Sequence, residues 1–219
     1  MPAEEKRTEI RITGFGGQGV VVYTNHTSTA QIAGFGGQGV ILAGHIIGHA
    51  CAIHAGRHAT MIQSFGPEAR GSSCSATLVV SDNEVLYPYI QRPHILVAMS
   101  ADGYEKYRDE LRDDGLLVYE QDLVKPEPKE GQPAYGVPST RIAESLGRAI
   151  VQNIVMVGFF AGVSALVPEE AMREAVLGSV PAGTEELNLQ AFDQGLEYAA
   201  QRIAQPAAGL ERTPLVETT

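Results

Sequence analysis

Cysteine, tryptophan and positive charge are what this 219-residue sequence is short of. Its two cysteines, Cys51 and Cys74, exclude a disulfide framework and cannot ligate an iron–sulfur cluster, which usually takes four thiolates. Sixteen Lys and Arg stand against 26 Asp and Glu, a formal net charge of −10. That balance argues against general nucleic-acid binding and against attraction to acidic membranes. No apolar run reaches the roughly 20 residues of a spanning helix. The longest, Ile150–Val167, is broken by Gln152, Asn153, Gly158 and Gly162 and reads as a buried helix. Met1–Arg7 is polar and charged, unlike a secretory segment, so a cytoplasmic chain is expected. Gly-x-Ser-x-Gly, a Gly-Lys-Ser/Thr phosphate loop and a defensible Cys–His pair are also absent, so no nucleophile–base chemistry is indicated.

Glycine is plentiful, and much of the excess over average usage lies in two copies of one hexapeptide. Gly34-Phe35-Gly36-Gly37-Gln38-Gly39 fits the Gly-x-Gly-x-x-Gly pattern, and Ala30 to Ala33 can end a short strand before it. Val40 to His54 has no Pro, Asp or Glu and reads as a mostly buried helix after it. A strand, glycine loop and helix N-terminus make an anion cradle. Glycine lets the backbone turn and approach a ligand, while free N–H groups and the helix dipole favour phosphate. The bland alternative is plain strand-to-helix packing.

The earlier copy is Gly14-Phe15-Gly16-Gly17-Gln18-Gly19, and residues 11–30 align on 31–50 with nine identities in twenty. This is a local tandem duplication, because nothing repeats it a third time. After the first copy Val20 to Thr24 is β-branched and reads as a strand, so the dipole argument holds only for the second. The first copy has the better preceding strand, Glu9–Thr13. The second loop is taken as the working one, with a spliced arrangement of the two as its competitor.

Residues 1–8 read as a frayed terminus, 9–204 as one domain and 205–219 as a disordered tail. Further strands are expected at His58–Phe65, Cys74–Ser81, Ile95–Met99 and Leu116–Tyr119, with an extended piece at Val85–Ile90. Helices are expected at Ser100–Leu111, Arg141–Leu146, Ala149–Val167, Pro168 to Gly178 and from the start at Thr184-Glu185-Glu186 through Leu187–Ile203, and Gly56 closes the one that starts at Val40. Strands alternating with helices, then helices alone, give a three-layer α/β/α fold with a largely parallel sheet and a Rossmann-like glycine loop.

A nicotinamide dinucleotide site wants a carboxylate about 20 positions into the unit. Here stand His54, Arg57 and His58, so NAD is disfavoured. A nucleotide with an extra ribose phosphate, such as NADP or coenzyme A, suits a cation better, unless these are ordinary surface residues. His45 and His49 lie one helical turn apart without the carboxylate of a metalloprotease helix, and a helix that merely contains histidines is the better account. The loop from Gln63 to Ser73 is dense in donors (Ser64, Arg70, Ser72, Ser73), and Arg70 can grip a carboxylate or phosphate bidentately or simply pair with Glu68. Gln152 and Asn153 need hydrogen-bond partners if buried, and are read as pinning a loop.

These residues together resemble the gamma subunit of the 2-oxoacid:ferredoxin oxidoreductases, most nearly the 2-oxoglutarate type. The matching stretches are Ile32–Gly39 with its helix, Thr60–Gly71, Pro93–Ser100, Asn153–Gly158 and Leu187–Gly195, spanning about Glu9 to Ala204. The glycine hexapeptide paired with Gln-Ser-Phe-Gly-Pro-Glu-Ala-Arg-Gly is more specific than either half.

The resemblance implies a complex that oxidatively decarboxylates a 2-oxoacid, makes an acyl-coenzyme A and passes two electrons to ferredoxin. Thiamine diphosphate and 4Fe–4S clusters would sit on alpha, beta and delta partners. This chain, inactive alone, would contribute coenzyme A handling and assembly. Gly34, Gly36, Gly37, Gln38 and Gly39 would bind the coenzyme, with Ser64 and Arg70 facing the coenzyme or the partners. The family pattern has one glycine loop running straight from strand to helix, whereas about twenty residues intrude here. They would form an edge hairpin or displace the loop. The rival readings are a non-catalytic assembly module and a free-standing NADP-binding oxidoreductase.

Overall fold

The computed structural model describes residues 7–16, 20–22, 31–33, 39–65, 72–87, 89–90 and 92–204. Alternation in the first strand decides the architecture. In β1 (Arg7–Gly16), Ile10 and Ile12 turn to one side and are fully buried, while Arg11 and Thr13 turn to the other. This strand sits near the middle of a six-stranded sheet, in the order β4-β5-β1-β6-β7-β8. The partners are β4 (His58–Phe65), β5 (Ser72–Ser81), β6 (Ile95–Ala98), β7 (Leu116–Glu120) and β8 (Ala134–Val137). β1, β6, β7 and β8 are mutually parallel; only β5 runs against its neighbours. β6 and most of β7 are continuously buried, as a sheet covered on both faces requires.

The helices are α1 (Val40–His49), α2 (Ala101–Tyr107), α3 (Ser139–Ser145), α4 (Gln152–Ser164), α5 (Glu169–Ser179) and α6 (Glu185–Ala204). One face of the sheet carries the main core, where Ile10, Ile12, Val97 and Val118 meet α1, α4, α5 and α6. The other carries a small cluster in which Leu96, Ala98 and Leu117 meet Tyr104 of α2, Leu111 and Val124. The three-layer expectation therefore holds, with very unequal layers.

Helix α4 is apolar all round because it is enclosed: every residue from Asn153 to Ala161 is buried. It crosses α6 with backbone against backbone. A methyl on Gly158 would collide with the Phe192 carbonyl, and one on Gly195 with the Val155 carbonyl.

Several boundaries differ from expectation. α1 ends at His49 and continues as a π-helical turn from Ala50 to His54, with Gly56 closing it at φ +65. α2 stops at Tyr107 and a 3-10 turn follows. α4 ends where Ala165 turns left-handed, short of Val167. β8 was not expected at all, and among the described residues 85–90 joins no sheet. Of the frayed terminus expected over 1–8, Arg7 and Thr8 instead begin β1, held by the ladder to β5, while residues 1–6 and the expected tail, 205–219, lie outside the described residues. Among those described, no helix is long and apolar enough to cross a membrane.

Candidate functional site

The chain leaves β1 towards β4 by way of α1, on one face, and leaves β6 for β7 by way of α2, on the other. The crevice outside the carboxyl ends of β1 and β6 is thus a topological switch point, where open α/β sheets bind ligands.

The two glycine copies divide the work of reaching it. Gly14, Phe15 and Gly16 of the first are strand, paired with Cys74, Ser73 and Ser72. Gly39, the last residue of the second, is the N-cap of α1, left-handed at φ 67 and ψ 26. Between them, among the described residues, β2 (Val20–Val22) and β3 (Gln31–Ala33) pair only with each other. The strand expected to feed the second loop therefore lies outside the main sheet. The main-sheet strand that precedes α1 is β1, and residues 17–19 and 34–38, on which the choice between the second loop and a spliced arrangement turns, lie outside the described residues. The intruding residues contain a small hairpin ladder, as one of the two alternatives had it.

Gly34, Gly36, Gly37, Gln38 and Arg70 lie outside the described residues. Gly39 is described, and its carbonyl accepts the first helical bond of α1, from Ala43 N at 2.9 Å. No side chain caps α1 and its first turn holds no carboxylate. The amides at the mouth of the helix have no partner within it, and the dipole there favours an anion. Farther along, Gly44 allows close approach: a Cβ there would stand 2.6 Å from Ala76 Cβ and 3.1 Å from Met61 Sδ.

Asn153, only 3% exposed, reaches the same place from α4. Its Nδ2 donates to the Gly39 carbonyl at 3.4 Å, so the loop that it pins is the glycine loop. Its neighbour Gln152 accepts from Thr140 Oγ1 at 2.8 Å. Thr140 N donates to Glu120 Oε2 at 3.1 Å, Asp122 N donates to Glu120 Oε1 at 3.2 Å, and the Ser139 hydroxyl donates to Glu120 as well. Glu120 is a buried carboxylate fully engaged in joining β7 to the start of α3.

Ser64 is exposed on β4 and stands opposite Ser75 of β5. Ser75 Oγ lies 3.4 Å from the Tyr107 hydroxyl, which places both serines on the α2 face. Arg11, whose guanidinium carbon is 4.4 Å from the Tyr107 ring centre, pairs with Glu110 there. The expectation missed this polar strip, although the alternation of Glu9, Arg11 and Thr13 in β1 carries its signal.

Arg57 and His58 do not belong to the site. They lie beyond the far end of α1, on the order of 20 Å from Gly39 at 1.5 Å per helical residue. Arg57 Nε is 2.8 Å from Asp82 Oδ1, so the ordinary-surface account holds. The His45 and His49 rings stack at 5.8 Å, and His49 meets His54 edge-on at 5.3 Å. Burial holds both His45 and His49 below the usual imidazole range, and at His49 the neighbouring imidazoles add to it. Burial pushes the Cys51 and Cys74 thiols up to about 11, so neither is a thiolate at neutral pH.

A profile of the family described as pyruvate ferredoxin/flavodoxin oxidoreductase matches residues 29–198. The chain belongs to that family. The 2-oxoglutarate synthase subunit KorC of Methanocaldococcus jannaschii is 42% identical over 89% of this chain and 95% of its own. A crystal structure of a keto/oxoacid ferredoxin oxidoreductase gamma subunit from Geobacter sulfurreducens is 33% identical, with a TM-score of 0.68 over 89% of this chain and 99% of that one. The fold also recurs, at 23% identity and a TM-score of 0.73, in the 2-oxoglutarate:ferredoxin oxidoreductase of Magnetococcus marinus, solved with 2-oxoglutarate, coenzyme A and succinyl-CoA bound. This chain covers 90% of itself but only 32% of that longer polypeptide. The chain is thus a gamma-type subunit of an enzyme complex, an oxidoreductase of the ferredoxin-linked family.

Proposed function

We propose that this subunit handles coenzyme A in a complex that converts 2-oxoglutarate to succinyl-CoA and reduces ferredoxin. The observation that carries the reading is the uncapped mouth of α1 behind left-handed Gly39, at the switch point, with no carboxylate in its first turn. A diphosphate fits this donor set: backbone N–H groups and a helix dipole with no carboxylate beside them. The N–H groups of Gly36 to Gly39 hold the pyrophosphate, and Arg70 and Ser64 face the coenzyme or the partner subunits. Coenzyme A supplies the thiol that accepts the acyl group. Alpha and beta subunits, and a delta subunit where present, carry thiamine diphosphate and 4Fe–4S clusters and pass electrons to ferredoxin. The two buried, protonated thiols here suit neither cluster ligation nor acyl transfer. The complex works in the cytoplasm, in keeping with the low cysteine content.

Titrating coenzyme A against the reconstituted complex tests this. Gly37→Asp and Arg70→Ala are expected to raise the KM for coenzyme A at least tenfold, with the subunits still assembled. Weakened assembly at an unchanged KM would favour an assembly module instead. NADP-dependent turnover by the isolated chain would favour a free-standing enzyme.

A further inference from the structure

Asn153, at the N-terminus of α4, is set apart by its burial. Asn153 is followed by an unbroken buried run from Ile154 to Ala161, and it is itself buried at 3% exposure. Its Nδ2 meets one acceptor that no neighbour in sequence supplies, the carbonyl of Gly39, 114 positions away. The fit is tight, because a Cβ on Gly39 would overlap the Asn153 amide.

That carbonyl has a particular lever arm. In a planar trans peptide the C=O of one residue and the N–H of the next point in opposite directions. Holding the Gly39 oxygen therefore aims the Val40 N–H the other way, out of the mouth of α1 and into the crevice. The Gly39 oxygen also accepts from Ala43 N, so the amide and the first helical turn fix one peptide plane from two sides. At 3.4 Å the side-chain bond is long, and its contribution is orientation more than energy. The mount is rigid at its base: Gln152 is tied to Thr140, and Thr140 to Glu120 at the end of β7.

We infer that Asn153 is a positioning residue for coenzyme A, acting through Gly39 to aim the first amides of α1 at the diphosphate. This rests on the coenzyme A reading above and names the side chain that makes that site directional.

Two variants in the complete complex test it. Asn153→Leu keeps much of the volume and removes the donor; Asn153→Asp keeps the shape and also removes it. Each is expected to raise the KM for coenzyme A roughly tenfold. The KM for the 2-oxoacid and the thermal midpoint of the Leu variant should stay near wild type. A residue that merely packs would move the midpoint and leave the coenzyme A KM alone, and that result overturns the inference. Gly39→Ala is the control that separates the two claims. If it raises the coenzyme A KM while both Asn153 variants leave it unchanged, the positioning role is wrong and the site stands. If all three leave it unchanged, the site is wrong and the role falls with it.

Discussion

The two hexapeptides share every residue from glycine to glycine, but they meet the fold at opposite ends. The first opens as extended chain in the centre of the sheet, with Gly14 to Gly16 laddered on β5. The second closes as a left-handed helix cap. What separates them is what each is attached to. The first follows a strand whose alternate isoleucines are fully buried; the second runs into Val40 to His49, which has an apolar face to place on β1, β4 and β5. Each described end thus takes its conformation with the apolar element that it joins, since glycine itself resists neither.

The largest effect that would break this equivalence comes from one substitution made in both copies. Gly39→Val puts a β-branched side chain at φ +67 and against Asn153, and is expected to cost about 2–5 kcal/mol in urea unfolding. The matching Gly19→Val is expected to stay within about 1 kcal/mol. Equal losses would mean that the copies are interchangeable.

Next in size is the pair Ile12 and Ile32. Ile12 is fully buried in β1, and Ile12→Ala should cost about 2–4 kcal/mol. Ile32 lies in the separate two-stranded ladder, and Ile32→Ala should cost less than about 1 kcal/mol, because such a ladder is marginal by itself.

A smaller effect sharpens the comparison through pH. The first copy has Asn25 and Thr29 where the second has His45 and His49. Both histidines have folded-state pKa values below 6.5, so the unfolded chain binds more protons in the window just beneath that value. Their contribution is complete above pH 6.5 and is lost as pH falls below it. The double change His45→Asn, His49→Thr should flatten the fall in thermal midpoint between pH 7 and 5; an unchanged slope would place the titrating groups elsewhere.

The smallest expected effect is that of removing residues 20–39, which joins Gly19 directly to Val40. If the first strand and the second helix are the working halves, stability should change by no more than about 1 kcal/mol. The KM for coenzyme A should hold within twofold. Failure to fold would show that the intruding ladder supports the domain.

Much of this fold was legible in the sequence, for identifiable reasons. β6 and β7 announce themselves as unbroken apolar runs, and α5 and α6 by acidic first turns. β8 was hidden because Ala-Tyr-Gly-Val is short and hemmed by Pro133 and Pro138. It exists because β7 offers a ladder and Gly136 makes room for the Tyr119 ring. The site was half legible. The helix behind the second hexapeptide and the pinning role of Asn153 follow from local pattern. That the main-sheet strand before α1 is β1 depends on pairing with β5 and β6, some 60 to 85 residues away in the chain, which no local pattern encodes. Arg57 misled because nearness in sequence hid the length of the helix between.

The glycine seam between α4 and α6 bears on how the chain is made. Synthesis delivers α4 well before α6, and until Phe192, Gly195 and Ala199 emerge the ribosome holds a helix with one flank bare. The last described helix is therefore the latch on the first half of the molecule. Chains that end near residue 183 and are released from the ribosome should recruit chaperones, and those that run past Ala204 should not.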